Sequence, residues 1–144
     1  MRGRGGRVLV SYPLTDIEGI DEETATILKS AGIRSTAALL DKVGNLRGRK
    51  AIAAKIGIPA SQLLRWANMA DCMRIRGVSR EYADLLRAGG IDTVKELKHR
   101  NPKNLAARMA AANKTRKLVR VLPSEKKVSR WIDHAKTLPL KITY

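Results

Sequence analysis

The sequence predicts an all-α protein built from two related four-helix modules, and three observations carry that prediction. The segment Ile17 to Ile33 aligns without gaps, at an offset of 58, with Ile75 to Ile91; Ile17/Ile75, Gly19/Gly77, Glu23/Glu81, Ala25/Ala83, Leu28/Leu86, Gly32/Gly90 and Ile33/Ile91 are identical, as is Leu39/Leu97 just beyond. A second similarity, at an offset of 65, links Leu64 to Ala70 with Ser129 to Ala135 and superimposes Arg65-Trp66 on Arg130-Trp131. Between these anchors, apolar residues recur at three-and-four spacing and are punctuated by glycine, proline and capping residues. With 144 residues the chain is long enough to bury a core. That core must be aliphatic, because there is no Phe and only two Trp and three Tyr.

Taken in order, Met1 to Arg7 holds too little apolar material to fold and reads as a flexible basic arm. Val8 to Tyr12 has extended character, as does Leu138 to Tyr144 at the other end, and the two ends are expected to pair. The domains read as an arm at 1–12, a first module at 13–73 and a second at 74–144. In the first module helices are expected near 21–31, 36–43, 47–56 and 60–73, stopped by Gly32, Gly44-Asn45 and Gly57 with Pro59. In the second they fall near 79–88, 93–99, 102–112 and 125–137. Thr93 to Glu96 has capping-box spacing, Asn101-Pro102 opens the third helix and Ser124 caps the last. The two tryptophan helices carry the same stripe: Leu63, Trp66, Ala70, Met73 in one and Val128, Trp131, Ala135, Leu138 in the other.

The chain carries a formal charge of +16, with 29 Lys and Arg against 13 Asp and Glu. Residues 1–12 hold three bases and no acid, residues 13–73 eight bases and seven acids, and residues 74–144 eighteen bases and six acids. A polyanion is therefore the expected partner, and the second half the expected binding half. A single cysteine, Cys72, excludes an internal disulfide and suits a reducing compartment. No apolar run is long enough to span a membrane. A cytoplasmic protein, associated with the nucleoid if it binds DNA, is expected.

The most informative stretch is Arg74-Ile-Arg-Gly-Val-Ser-Arg80. Gly77 can take positive φ, and the amides of Val78 to Arg80 are expected to point outward at a positive helix end, an arrangement that attracts phosphate. Arg74, Arg76 and Arg80 flank it and call for the same ligand. The alternative is a turn that only orients two helices.

Gly-apolar followed by a helix of the form Ala-x-x-Leu-x-x-Ala-Gly-Ile, carried here by Ala25 to Ile33 and Ala83 to Ile91, resembles the helix-hairpin-helix superfamily. Over residues 13–144 the chain resembles a bacterial family of tandem helix-hairpin-helix proteins known as a domain of unknown function. The resemblance implies two such modules packed as one compact helical domain, and hairpin amides that hold a DNA phosphate without reading bases. The superfamily's DNA-binding hairpins read Gly-apolar-Gly, and here the second glycine is replaced by Asp21 in one copy and Ser79 in the other. Asp21-Glu22-Glu23 places three acids where a phosphate would sit, so the first hairpin is expected to be structural and the second functional. The last helix, 125–137, is expected to pack beside the first hairpin and close a pseudo-twofold domain.

Candidate nucleic-acid contacts are Arg74, Arg76, Gly77, Val78, Ser79 and Arg80 at the second hairpin, Lys114, Arg116, Lys117 and Arg120 beside a solvated linker, and Arg2, Arg4 and Arg7 in the arm. Arg47, Arg49 and Lys50 crowd a helix start that disfavours cations. His99 and His134 read as surface residues, and no catalytic, metal-binding or nucleotide-binding motif is present. No enzyme activity and no cofactor are expected. The expected function is sequence-independent binding of double-stranded DNA through ~4–8 phosphates, with steep salt dependence. Structured RNA, or a protein partner or second copy engaging the nearly neutral first half, are the alternatives. Scarce aromatics argue against single strands.

Overall fold

A computed structural model describes residues 11–144, and these form eight α-helices and no strand. The first four are α1 (Glu22–Ser30), α2 (Thr36–Val43), α3 (Leu46–Ile56) and α4 (Ala60–Cys72). The second four are α5 (Arg80–Ala88), α6 (Val94–Leu97), α7 (Pro102–Arg116) and α8 (Glu125–Thr137). Local chemistry sets most of the starts: Asp21, Ser35, Asn45, Thr93, Asn101 and Ser124 each accept a hydrogen bond from the N–H three residues on. The stops of α1 and α5 are the same motif twice, with Ile33 N–H donating to Leu28 O at 3.0 Å and Ile91 N–H to Leu86 O at 2.9 Å.

One apolar core runs through both halves. Repeat-related positions are buried in pairs: Ile17 with Ile75, Ile20 with Val78, Leu28 with Leu86, Ile33 with Ile91 and Leu39 with Leu97. α2 packs on α4 and α3 on α4, as α6 packs on α8 and α7 on α8. The halves differ at the end of the first helix. Where the first repeat has Ala31 the second has Gly89, and Met109 Cγ lies 3.2 Å from the place a Cβ would occupy there. The missing methyl lets α7 close on α5.

Three expectations are corrected. α8 does not cover the first glycine turn. Its Trp131 lies against Gly77, while Trp66 of α4 lies against Gly19, so each tryptophan helix backs the turn of its own module. The physical reason is packing within each half: α4 packs on α2 and α3, and α8 on α6 and α7, so each brings its tryptophan under the turn of that half. Second, the described parts of the two ends do not pair with each other. Tyr12 exchanges hydrogen bonds with Thr36 at the head of α2, and Thr143 N–H donates to Gly44 O, at 2.9 Å, beyond its tail. Third, α7 continues four residues past the expected end, through Asn113-Lys-Thr-Arg116, whose two cations suit the negative end of the helix dipole. Lys114 and Arg116 therefore ride on a helix, and Lys117 closes it in the left-handed region at φ 49°.

The C-terminal tail ties the second half back to the first. Arg49 is buried at 2% exposure because its guanidinium serves as a knot, donating to Val43 O, Gly44 O and Thr143 O. Lys141 adds an exposed ion pair with Asp41 at 3.1 Å. Thus the cation that the start of α3 should disfavour is held by carbonyls, two of them at the C-terminal end of α2, where the helix dipole favours it.

Candidate nucleic-acid interface

The second glycine turn is held from below and open above. Ile75 and Val78 are both fully buried and anchor it, and Val78 N–H donates to Ile75 O at 3.0 Å. Gly77 between them has φ +90°, a conformation that strains any residue with a Cβ. A Cβ there would also stand 3.3 Å from the indole Nε1 of Trp131. Trp131 is itself fixed by Tyr82, ring centroids 5.2 Å apart, and Lys127 Nζ sits 4.8 Å from the centre of the Tyr82 ring. Burying a tryptophan removes on the order of 200 Å² of apolar surface from water, worth ~5 kcal/mol at most. The platform under the turn is therefore a packed part of the core.

Val78 was expected to offer its amide outward, and the structure corrects this: that N–H closes the turn. The amides of Gly77, Ser79 and Arg80 have no hydrogen-bond partner among the described residues. Ser79 occupies the N-cap position of α5, yet its side chain makes no cap hydrogen bond. The start of α5 is thus left with free donors and a positive dipole end.

The first turn has the same backbone and opposite chemistry. Gly19 has φ +96°, Ile20 N–H donates to Ile17 O at 3.1 Å, and Trp66 Nε1 lies 3.1 Å from a Cβ placed on Gly19. Here the matching amides of Gly19, Asp21 and Glu22 are equally without a partner among the described residues, but the helix start is capped: Asp21 accepts from Thr24 N–H at 2.8 Å, and that bond holds its carboxyl below its ordinary value. At the 58-residue offset Asp16 aligns with Arg74, Glu18 with Arg76, Asp21 with Ser79 and Glu22 with Arg80. Four acids in one copy become three arginines and a serine in the other. This inversion is readable in the aligned repeats and is the sharpest charge signal in the chain.

The candidate residues are not equivalent. Arg76 and Arg80 are exposed beside the free amides. Arg74 is turned inward: its Nε donates to Asp71 Oδ1 at 2.9 Å, with Nη2 2.7 Å from the same oxygen, and its side chain is 13% exposed. The second oxygen of Asp71 accepts from Val94 N–H at 2.8 Å, so this pair secures the start of α6. In the first module the matching amide, Thr36 N–H, donates to Tyr12 O instead. Lys117 and Arg120 line an open cleft of 590 Å³ with Glu81 and Tyr82, which brings the linker to the first turn of α5. The carboxyl of Asp84 is pushed up by partial burial and by Glu18, against the pull of Arg80, Arg87 and Arg116. Lys114 stands exposed on α7, and Arg2, Arg4 and Arg7 lie outside the described residues.

The sequence reading missed His134. It is half-buried, and its Nδ1 accepts from Arg76 N–H at 3.1 Å. Burial, and then the charges of Arg76 and Arg74, hold its pKa below the ordinary 6.5 and keep it neutral. The 65-residue offset pairs it with Met69, a polar-for-apolar exchange in an otherwise matched stripe. Cys72 is buried with its thiol pushed well up by burial, as an inert core residue would be. Among the described residues no three His, Cys, Asp or Glu gather to hold a metal, and no helix is long and apolar enough to cross a membrane.

A family model described as a domain of unknown function, DUF4332, matches residues 18–138. No curated protein and no solved structure matches the chain.

Proposed function

The chain belongs to the DUF4332 family, whose function is unknown, and within it we propose that this member is a non-catalytic, sequence-independent binder of double-stranded DNA. The clamp is a helix-hairpin-helix unit made by the end of α4, the Gly77 turn and α5. A backbone phosphate sits over the amides of Gly77, Ser79 and Arg80, with Arg76 and Arg80 closing on it. Lys117, Arg120 and Arg116 extend the contact along the backbone. Arg74 acts indirectly, by fixing Asp71.

The observation that carries this reading is the charge inversion between two turns of one backbone geometry, together with the uncapped start of α5. A turn kept only to orient helices has no need of both. The acidic first turn, with Glu18, Asp21, Glu22 and Glu23 exposed, also suits the basic half of a second copy, which is the competing protein-interaction reading.

The test is fluorescence anisotropy of a labelled DNA duplex across a salt series. Wild type should bind with a steep negative salt slope. Arg76→Glu/Arg80→Glu should lose about 100-fold in affinity at low salt and flatten the slope by roughly 2 units, while Asp21→Lys should bind as well or better. An equal response to both changes, or none, refutes the clamp. A duplex RNA of the same sequence distinguishes the two nucleic acids, and a salt-insensitive dimer in sedimentation supports the protein-interaction reading.

A further inference from the structure

We propose that the loop joining α7 to α8 is a wedge that unstacks one base step of the bound duplex. The inference rests on the reading of the Gly77 turn as a duplex clamp and adds what the neighbouring loop does to the DNA. Val121 is 71% exposed and the adjacent Leu122 43%, the only neighbouring pair among the large exposed apolar side chains of the described residues.

This exposure is not slackness. Asn113 on α7 holds Val119 at both backbone atoms, accepting from its N–H at 3.0 Å and donating to its O at 3.1 Å. Tyr82 OH donates to Val121 O at 3.2 Å, and Val119 and Pro123 are buried on either side. A loose loop would fold two aliphatic side chains down onto the surface. This backbone is tied at three points, and the side chains stay in water.

The surroundings select the occupant. Arg116, Lys117 and Arg120 lead into the apolar pair, and all are exposed. A polyanion with an apolar interior matches a basic rim around an aliphatic tip, and a base stack behind its phosphates has that character. Glu81 lines the same cleft and repels phosphate, which favours bases at the tip. The cleft also includes Tyr82, so the loop stands against the first turn of α5, beside Arg80. One duplex can therefore meet both. Aliphatic side chains pushed between base pairs kink the duplex, and the cost is least where stacking is already weak, as at a bulge or a TA step.

The experiment uses the full chain with a duplex carrying 2-aminopurine, with and without a single-nucleotide bulge beside it. Wild type should raise the 2-aminopurine fluorescence on binding and prefer the bulged duplex by roughly tenfold. Val121→Ser/Leu122→Ser, a change at exposed positions that should leave the far-ultraviolet circular dichroism unchanged, should bind the unbulged duplex like wild type with no fluorescence rise and no preference. Wild type bound to duplex without a rise or a preference overturns the wedge and spares the clamp, and so does a serine variant that keeps both. Failure of wild type to bind any duplex overturns the two together.

Discussion

The turn at Ile17–Ile20 and the turn at Ile75–Val78 have matching buried anchors, matching positive-φ glycines and matching tryptophans beneath them, yet they face solvent with opposite charge. Packing forces act on the underside and are the same in both copies, so those positions repeat. Nothing in the core constrains the outer side chains, so they are free to diverge. The first turn carries a formed cap and acids at its helix start. The second has no side-chain cap and carries exposed arginines there.

That comparison can be broken at its shared part first. Gly77→Ala and Gly19→Ala should each destabilise the fold by about 1–2 kcal/mol in urea unfolding, since both demand a backbone conformation that alanine resists. Gly19→Ala should cost more, because its Cβ meets Trp66 at 3.1 Å and Trp131 leaves 3.3 Å at Gly77. Duplex binding by the folded fraction should suffer only for Gly77→Ala.

The caps sharpen it further. Asp21→Ala should lower the urea midpoint, because a formed cap is lost, whereas Ser79→Ala should leave it nearly unchanged, because no cap hydrogen bond exists to lose. Equal losses would mean the two helix ends are alike after all.

The smallest effect belongs to His134. Its folded pKa lies below 6.5, so its neutral form contributes stability that is fully present above that value and declines as pH falls below it, through the lower folded value. Parallel urea titrations should show wild type losing more between neutral and mildly acidic pH than His134→Gln. A phosphate over the turn should oppose this shift, so the histidine's pKa, followed by NMR, should rise when duplex is added.

Much of the fold was legible because repeats, caps and stops are local. Thr93, Asn101 and Ser124 announce their helices by side chains that reach only three residues ahead. The site was legible in outline, through Gly77 and the arginines around it. What was not legible depended on groups far apart in the chain. Arg74 reads like Arg76 until Asp71 is seen to hold it. Arg49 looks misplaced until Thr143 returns to meet it. His134, marked in the sequence only by standing where the first half has Met69, gains a role once it is 3.1 Å from the Arg76 amide.

The sequence by itself determined the helical class, the repeat, the family match over residues 18–138 and the placement of most charge in the second half. Those properties are written in composition and short-range periodicity, which need no knowledge of the folded state. Only the tertiary structure decided which tryptophan backs which turn, that the tail fastens to the first half and that Val121 and Leu122 stand out beside α5. Such choices arise when segments compete for the same groove, and the winner is set by shape and by which buried polar groups find partners.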